Sequence, residues 1–371
     1  MKSRAPNLIS TIGLATLLTS CGDPVSTGDI VHGGPENPAQ DGSYTEAIVS
    51  ENGIAALEAV VLGGVEQWIL IRGHDVDNPV LIYLHGGPGS PAIPYGRITF
   101  GGLERDFTVV TWDQRGCGKS YSPTVDAQSI TLEQLLSDTR ELIAMMRDRF
   151  ETDAVYLMGA SFGSVLGVFT ARDHPELLRA YIGVGQFVDA ERTMRLAHAA
   201  ALDKATELGV QDAIDQLSTI QLYPEIDWDR WKDVVPWLEA FGFGDIHNTS
   251  LIPALRDTLM AATEYTPQDF ANQDAWEQLY WASPLNGDPA WVYGLEVPDQ
   301  VPRLDVPAFF LSGRFDYKTP GELVEEYVDL LEAPAGKQMI WFENSAHALF
   351  FEEREAFRSV MLNAVLDGSG G

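Results

Sequence analysis

The string Gly159-Ala160-Ser161-Phe162-Gly163 sets a serine between glycines and is the first constellation able to do chemistry. A serine hydroxyl is a poor nucleophile until a base takes its proton. His347, in Asn344-Ser345-Ala346-His347, is the candidate base, because imidazole exchanges protons near neutral pH. Asp316, in Gly313-Arg314-Phe315-Asp316, is the candidate carboxylate that would fix the imidazole tautomer and stabilise its cation. Taken singly, Asp316 could instead cap a helix opening at Thr319-Pro320, and His347 could be a surface histidine. A further string, His85-Gly86-Gly87-Pro88-Gly89, is suited to let backbone N–H groups approach a developing negative oxygen; losing one such donor typically costs about 3 kcal/mol. The donors are assigned to the N–H groups of Gly87 and Phe162, and His85 reads as a structural hydrogen-bonding residue of the loop. The chemistry implied is acyl transfer through an acyl-enzyme. No histidine pair stands at ligand spacing on one helix, so no metal and no other cofactor is expected.

These groups need a scaffold that brings distant residues together. Continuous apolar runs at Val80 to Leu84, Phe107 to Trp112, Ala154 to Met158, Ala180 to Val184, Ala308 to Leu311 and Met339 to Phe342 read as buried strands. Leu57 to Leu62 and Trp68 to Ile71 flank Gly63-Gly64 and predict a hairpin. Helical spacing follows Thr131, which with Gln134 resembles a capping box, through Leu132, Leu135, Leu136, Ile143 and Met146. Val165, Leu166, Val168 and Phe169 predict a helix directly after the serine. Strands alternating with helices imply an α/β fold, a mostly parallel central sheet flanked by helices. Ser161 then sits on a sharp strand-to-helix turn, while His85, Asp316 and His347 follow the ends of other strands. The order Ser, Asp, His is that of the α/β-hydrolase fold. Residues 187–300 break the rhythm with Trp, Asp, Glu and helical stretches such as Ala190 to Leu208. They predict a helical cap, or lid, inserted between the core segments 46–186 and 301–371, where ligands of such sheets bind.

The chain has 371 residues, with 54 acidic against 24 basic side chains and a formal net charge of −30. Such a surface repels phosphate backbones, so nucleic acid is excluded as an expected partner. Lys2 and Arg4 precede an apolar stretch from Leu8 to Leu18, as in an export signal, and the stretch is too short to span a membrane. Leu18-Thr19-Ser20-Cys21 resembles the lipobox of bacterial lipoproteins. Residues 1–20 are therefore expected to be a signal peptide, Cys21 the lipidated residue, and residues 21–45 a Gly-, Pro- and Ser-rich tether. The expected location is outside the cytoplasm, facing periplasm or cell exterior and anchored by lipid to a membrane. Cys117 is the other of the two cysteines; it reads as a buried, inert thiol.

The strings His85-Gly86-Gly87-Pro88-Gly89 and Trp112-Asp113-Gln114-Arg115-Gly116-Cys117-Gly118-Lys119-Ser120 resemble the two hallmark strings of prolyl iminopeptidases, serine exopeptidases that release an N-terminal proline. The resemblance covers about residues 55–185 and resumes at Asp316 and His347. It implies that Ser161, Asp316 and His347 form a triad, that residues 113–116 buttress the oxyanion loop, and that Cys117 lies near the pocket. The family typically has Trp after the nucleophile, where this chain has Phe162. Its lid usually carries acidic residues for the substrate's ammonium group, often near a Trp-rich string ending in Trp-Glu. Trp276-Glu277 is present without the surrounding pattern, and Glu191, Glu225, Glu264 and Glu277 are all candidates, each of which reads more readily as a solvated face.

The expected function is an aminopeptidase-like acyl hydrolase acting on small peptides or amides. An esterase or lactonase with the same triad, and an inactive binding protein on the same scaffold, are the competing readings.

Overall fold

In a computed structural model, which describes residues 47–223, 230–287 and 294–368, the apolar runs pair into one eight-stranded sheet of order β1-β2-β4-β3-β5-β6-β7-β8. The strands are β1 (Ile54–Leu62), β2 (Val65–Gly73), β3 (Val80–Leu84), β4 (Thr108–Asp113), β5 (Val155–Ala160), β6 (Leu178–Val184), β7 (Ala308–Gly313) and β8 (Lys337–Phe342). β1 and β2 form the hairpin predicted around Gly63-Gly64, and β2 joins β4 antiparallel. All other pairs are parallel. The expected signal peptide, Cys21, the tether over 21–45 and Glu225 lie outside the described residues.

Strand alternation sends side chains to two cores, one on each face. Val80, Ile82 and Leu84 of β3 join one cluster, with Leu135, Leu142, Ile143 and Met146 packed against them. Leu81 and Tyr83 join the other, with Phe100, Phe107 and Phe357. Burying a side chain of this size contributes about 1.5 to 3 kcal/mol, so a one-residue slip in register would be strongly opposed.

The flanking helices include α1 (Ile93–Phe100), α2 (Leu132–Arg149) and α3 (Phe162–Asp173). Thr131 caps α2 by accepting the Gln134 N–H at 3.0 Å. The reciprocal half of the predicted box is replaced: the Gln134 amide donates to Asp138 Oδ1 at 2.8 Å. Between β6 and β7 run α4 (Ala190–Leu208), α5 (Gln211–Leu217), α6 (Trp231–Ala240), α7 (Ile252–Met260) and α8 (Pro267–Ala282). Met194, Ala197, Ala201, Leu217, Val234 and Leu238 give the first three of these helices a small core of their own. An isolated bridge, Asp189 with Glu296, closes the base where this helical segment leaves and rejoins the sheet. α9 (Gly321–Leu330) follows β7. Among the described residues no helix is long and apolar enough to cross a membrane.

Candidate active site

β5 runs straight into α3, and Ser161 occupies the one residue between them, at φ 53° and ψ −123°. That conformation is strained for a residue with a Cβ, by about 1 to 3 kcal/mol. The surroundings hold it there. A Cβ on Gly159 would lie 2.2 Å from the Gly163 carbonyl oxygen, and one on Gly163 would lie 2.1 Å from the Leu84 carbonyl oxygen. The glycines of the string are therefore required by close backbone approach between β3, β5 and α3. The Ser161 N–H donates to Val184 O at 3.0 Å. Its hydroxyl makes no capping bond to α3, although it stands at the N-cap.

Asp316 and His347 lie in the loops after β7 and β8 and meet. His347 Nδ1 is 2.7 Å from Asp316 Oδ2, and the carboxylate side chain is fully buried while the imidazole keeps 14% exposure. Asp316 Oδ1 accepts the N–H groups of Lys318 and Thr319, each at 2.9 Å. One carboxylate oxygen holds the local turn and the other faces the imidazole; the helix expected at Thr319-Pro320 opens instead at Gly321, with Pro320 at its N-cap and no side-chain cap from Asp316. The Thr319 hydroxyl, unforeseen from sequence, donates to Asp316 Oδ2 at 2.7 Å and lies 3.2 Å from His347 Nδ1. Burial alone would lower the His347 pKa, but the charge and hydrogen bond of Asp316 outweigh it and hold the imidazole above its ordinary 6.5.

Gly185 connects this pair to the turn at Ser161. It follows Val184, the acceptor of the Ser161 N–H, and a Cβ added to it would lie 3.0 Å from His347 Cε1. Ser161 and the imidazole thus share one end of the sheet. Among the described residues no hydrogen bond joins the Ser161 hydroxyl to His347; such contacts often tighten only when substrate is bound.

The glycine loop after β3 lies over the serine: a Cβ on Gly86 would be 2.9 Å from Ser161 Cβ. Gly87 has φ 110°, and among the described residues no protein group accepts its N–H. Phe162 opens α3, and first-turn N–H groups point toward a helix's N-terminal end, where negative charge is favoured. His85 faces away from this chemistry. Its Nδ1 lies 2.9 Å from Gly86 O, while its Nε2 accepts the Gln114 N–H at 3.0 Å. Burial drives the ring down to about 4 against the pull of the Gly86 carbonyl, so it stays neutral.

The segment 113–116 braces the loop. The Gln114 amide donates to His85 O at 3.0 Å. Asp113 Oδ1 accepts the N–H groups of Ala92 and Ile93 at 2.8 and 3.0 Å. Its Oδ2 accepts the Tyr265 hydroxyl from the helical segment. Burial outweighs these donors and pushes Asp113 up to about 6. Arg115 turns away from the site and makes a two-pronged ion pair with Asp138 of α2, both bonds 2.9 Å and both side chains all but inaccessible. Cys117 is fully buried, 3.4 Å from His85 Nε2, and burial raises its thiol far above the range where a thiolate would form.

The helical segment docks on both glycine strings. Asn272 donates to Gly118 O at 2.9 Å, Trp276 to Pro88 O at 3.2 Å, and Lys119 pairs with Asp269 at 2.8 Å. The acidic candidates behave differently from one another. Glu191 is exposed and pairs with Arg195 one turn on, at 2.5 Å. Glu264 is half-buried and paired with Arg97 at 2.7 Å. Glu277 is exposed beside the buried Trp276. Among the described residues, no group of three or more His, Cys, Asp or Glu is arranged to hold a metal ion.

A family model described as alpha/beta hydrolase fold matches residues 79–354, a span that includes Ser161, Asp316 and His347. The probable aminopeptidase YbaC of Bacillus subtilis is 31% identical over 325 residues, covering 85% of this chain and 97% of that protein. A proline iminopeptidase of Heyndrickxia coagulans is 24% identical over 296 residues, covering 76% of this chain and 89% of its own. The crystal structure of a proline iminopeptidase of Mycobacterium smegmatis superposes with a TM-score of 0.57 over 85% of this chain and 99% of that one, at 19% identity, which is a likeness of fold.

Proposed function

We propose, because the chain belongs to the α/β-hydrolase fold family, that it is a serine hydrolase of the aminopeptidase kind, releasing an N-terminal residue from small peptides or amides. Ser161 Oγ bonds to the acyl carbon as its proton passes to His347 Nε2. The Gly87 and Phe162 N–H groups hold the oxygen that becomes negative. Collapse breaks the bond to the amine, which leaves with the proton carried by His347. A water, deprotonated by the same imidazole, then frees the acid and restores the serine. Asp316 keeps Nδ1 protonated, so that Nε2 is the basic nitrogen. The helical segment acts as the lid over this end of the sheet.

The observation that carries the reading is the 2.7 Å bond between His347 and Asp316 at the sheet end where Ser161 stands in a strained turn. The esterase or lactonase reading keeps a specific support of its own. Glu264 is already neutralised by Arg97, Glu191 is engaged with Arg195, and Phe162 stands where the resembled family has Trp. Turnover of proline 4-nitroanilide and of short 4-nitrophenyl esters separates the two. The aminopeptidase reading expects the anilide to be cleaved only when its amine is free. Ester turnover with no cleavage of any amine-bearing amide would replace it by the esterase reading.

We propose in addition that Cys21 carries lipid and tethers the enzyme to a membrane face outside the cytoplasm. Cys21→Ala is expected to move the protein from the membrane pellet to the soluble fraction. Retention of that variant in the pellet would remove the anchor.

A further inference from the structure

The helical segment reaches the acid–base pair itself. Residues 241–247, between α6 and α7, run across the loops after β7 and β8 and bond to both through the main chain. The Tyr317 N–H donates to Phe243 O at 3.1 Å, the His347 N–H to Gly244 O at 3.1 Å, and the Ala348 N–H to Asp245 O at 2.8 Å. The His247 ring stacks on Phe315, centroids 3.5 Å apart and planes within 6°. One ionic contact fastens this segment sideways. Lys318 Nζ, two residues beyond Asp316, lies 2.7 Å from Asp245 Oδ1 and 3.2 Å from Glu239 Oε1, and the lysine and Asp245 side chains keep only 12% and 9% exposure. Glu239 Oε2 in turn accepts the Asp245 N–H at 2.9 Å.

We propose that Lys318, held between Glu239 and Asp245, is a positioning residue for the acid–base pair: it fastens residues 241–247 to the loops carrying Asp316 and His347 and balances the charge around the imidazole. The inference rests on the triad proposed above and extends it to a lysine and two carboxylates that touch no reacting atom. The charges acting on His347 are Asp316 and Lys318 on the β7 loop and Asp245 on the crossing segment; on the elements packed around its loop, Glu239 of α6 touches Lys318, His247 stacks on Phe315, and Glu352 and Glu353 accept the Ala346 and Asn344 N–H groups at 2.8 and 2.9 Å. Glu239, Asp245 and Lys318 together carry one net negative charge when all are ionised. Lys318 lowers and Asp245 raises the proton affinity of His347. Removing one or the other should therefore act in opposite directions.

The test is the rate at which a fluorophosphonate labels Ser161, followed against pH. Lys318→Met should move the acid limb up by about one pH unit, Asp245→Asn should move it down by a similar amount, and Lys318→Arg should restore the wild-type midpoint. A merely structural role would change rates or stability without opposed shifts. Should Lys318→Met fail to fold, the downward shift in Asp245→Asn decides alone. Folded variants whose midpoints match wild type, or shift the same way, would overturn the inference while leaving the triad intact. Labelling that persists undiminished in His347→Ala would instead overturn the triad, and this inference with it.

Discussion

Ser161→Ala is expected to lower kcat by about 10⁵- to 10⁶-fold, the loss that follows when the nucleophile of such a triad is removed. The fold should be indifferent to the change. A Ser→Ala substitution at an N-cap ordinarily costs about 1 kcal/mol, but the Ser161 side chain makes no capping bond to α3. Alanine also inherits the same φ of 53°, so the strain of the turn is unaltered. The melting temperature should therefore stay within about 2 °C of wild type, while turnover of both anilide and ester substrates disappears. Undiminished turnover in the folded variant would remove Ser161 from the chemistry and end the mechanism proposed.

Asp316→Asn is expected to lower kcat by about 10⁴-fold, with geometry largely preserved. The side chain still offers one oxygen to the Lys318 and Thr319 N–H groups, which it now receives at 2.9 Å each. It loses the charged acceptor 2.7 Å from His347 Nδ1, and with it the tautomer that leaves Nε2 basic. The pH profile should report the same loss. In the wild type, kcat/KM should rise with pH through a midpoint above 6.5, because Asp316 raises the imidazole and only the neutral ring can accept a proton. With the carboxylate gone, burial remains as the dominant influence, and the midpoint of any residual activity should fall. A variant retaining more than about one tenth of wild-type kcat would show that Asp316 does not orient the base.

The central strands were legible because buried parallel strands read as unbroken apolar runs, as Val80–Leu84 does at full burial. The first residues of β1 and β2 were not, since Ile54 to Ala56 and Val65 to Glu66 are at least partly exposed and lack that signal, and the buried end of β2 at Arg72-Gly73 carries no apolar side chain. α1 was missed for a different reason. Ile93-Pro94-Tyr95-Gly96 has no helical periodicity, and the helix start is held by Asp113, which accepts the Ala92 and Ile93 N–H groups from a different strand end. Thr266 and Asp269 form a full capping box on α8, with Asp where the usual signature has Glu or Gln.

The candidate site shows the same division. Ser161, Asp316 and His347 could be picked out because each follows a strand, and the ends of parallel strands converge. Thr319, Gly185 and Lys318 could not. Their importance lies in contacts across the fold, to His347, Asp245 and Glu239, which no local pattern announces. The same holds for the acidic residues of the helical segment. In sequence Glu264 and Glu277 are equivalent, yet one is half-buried and paired with Arg97 and the other faces solvent.

Mass-spectrometric mapping of the folded wild-type protein after reaction with a fluorophosphonate bears on the nucleophile without any assumption about substrate. The proposed mechanism predicts a single stoichiometric adduct on Ser161, formed faster as pH rises through the His347 midpoint and abolished by prior unfolding. No adduct on the folded enzyme, or an adduct on another residue with Ser161 unmodified, would contradict it.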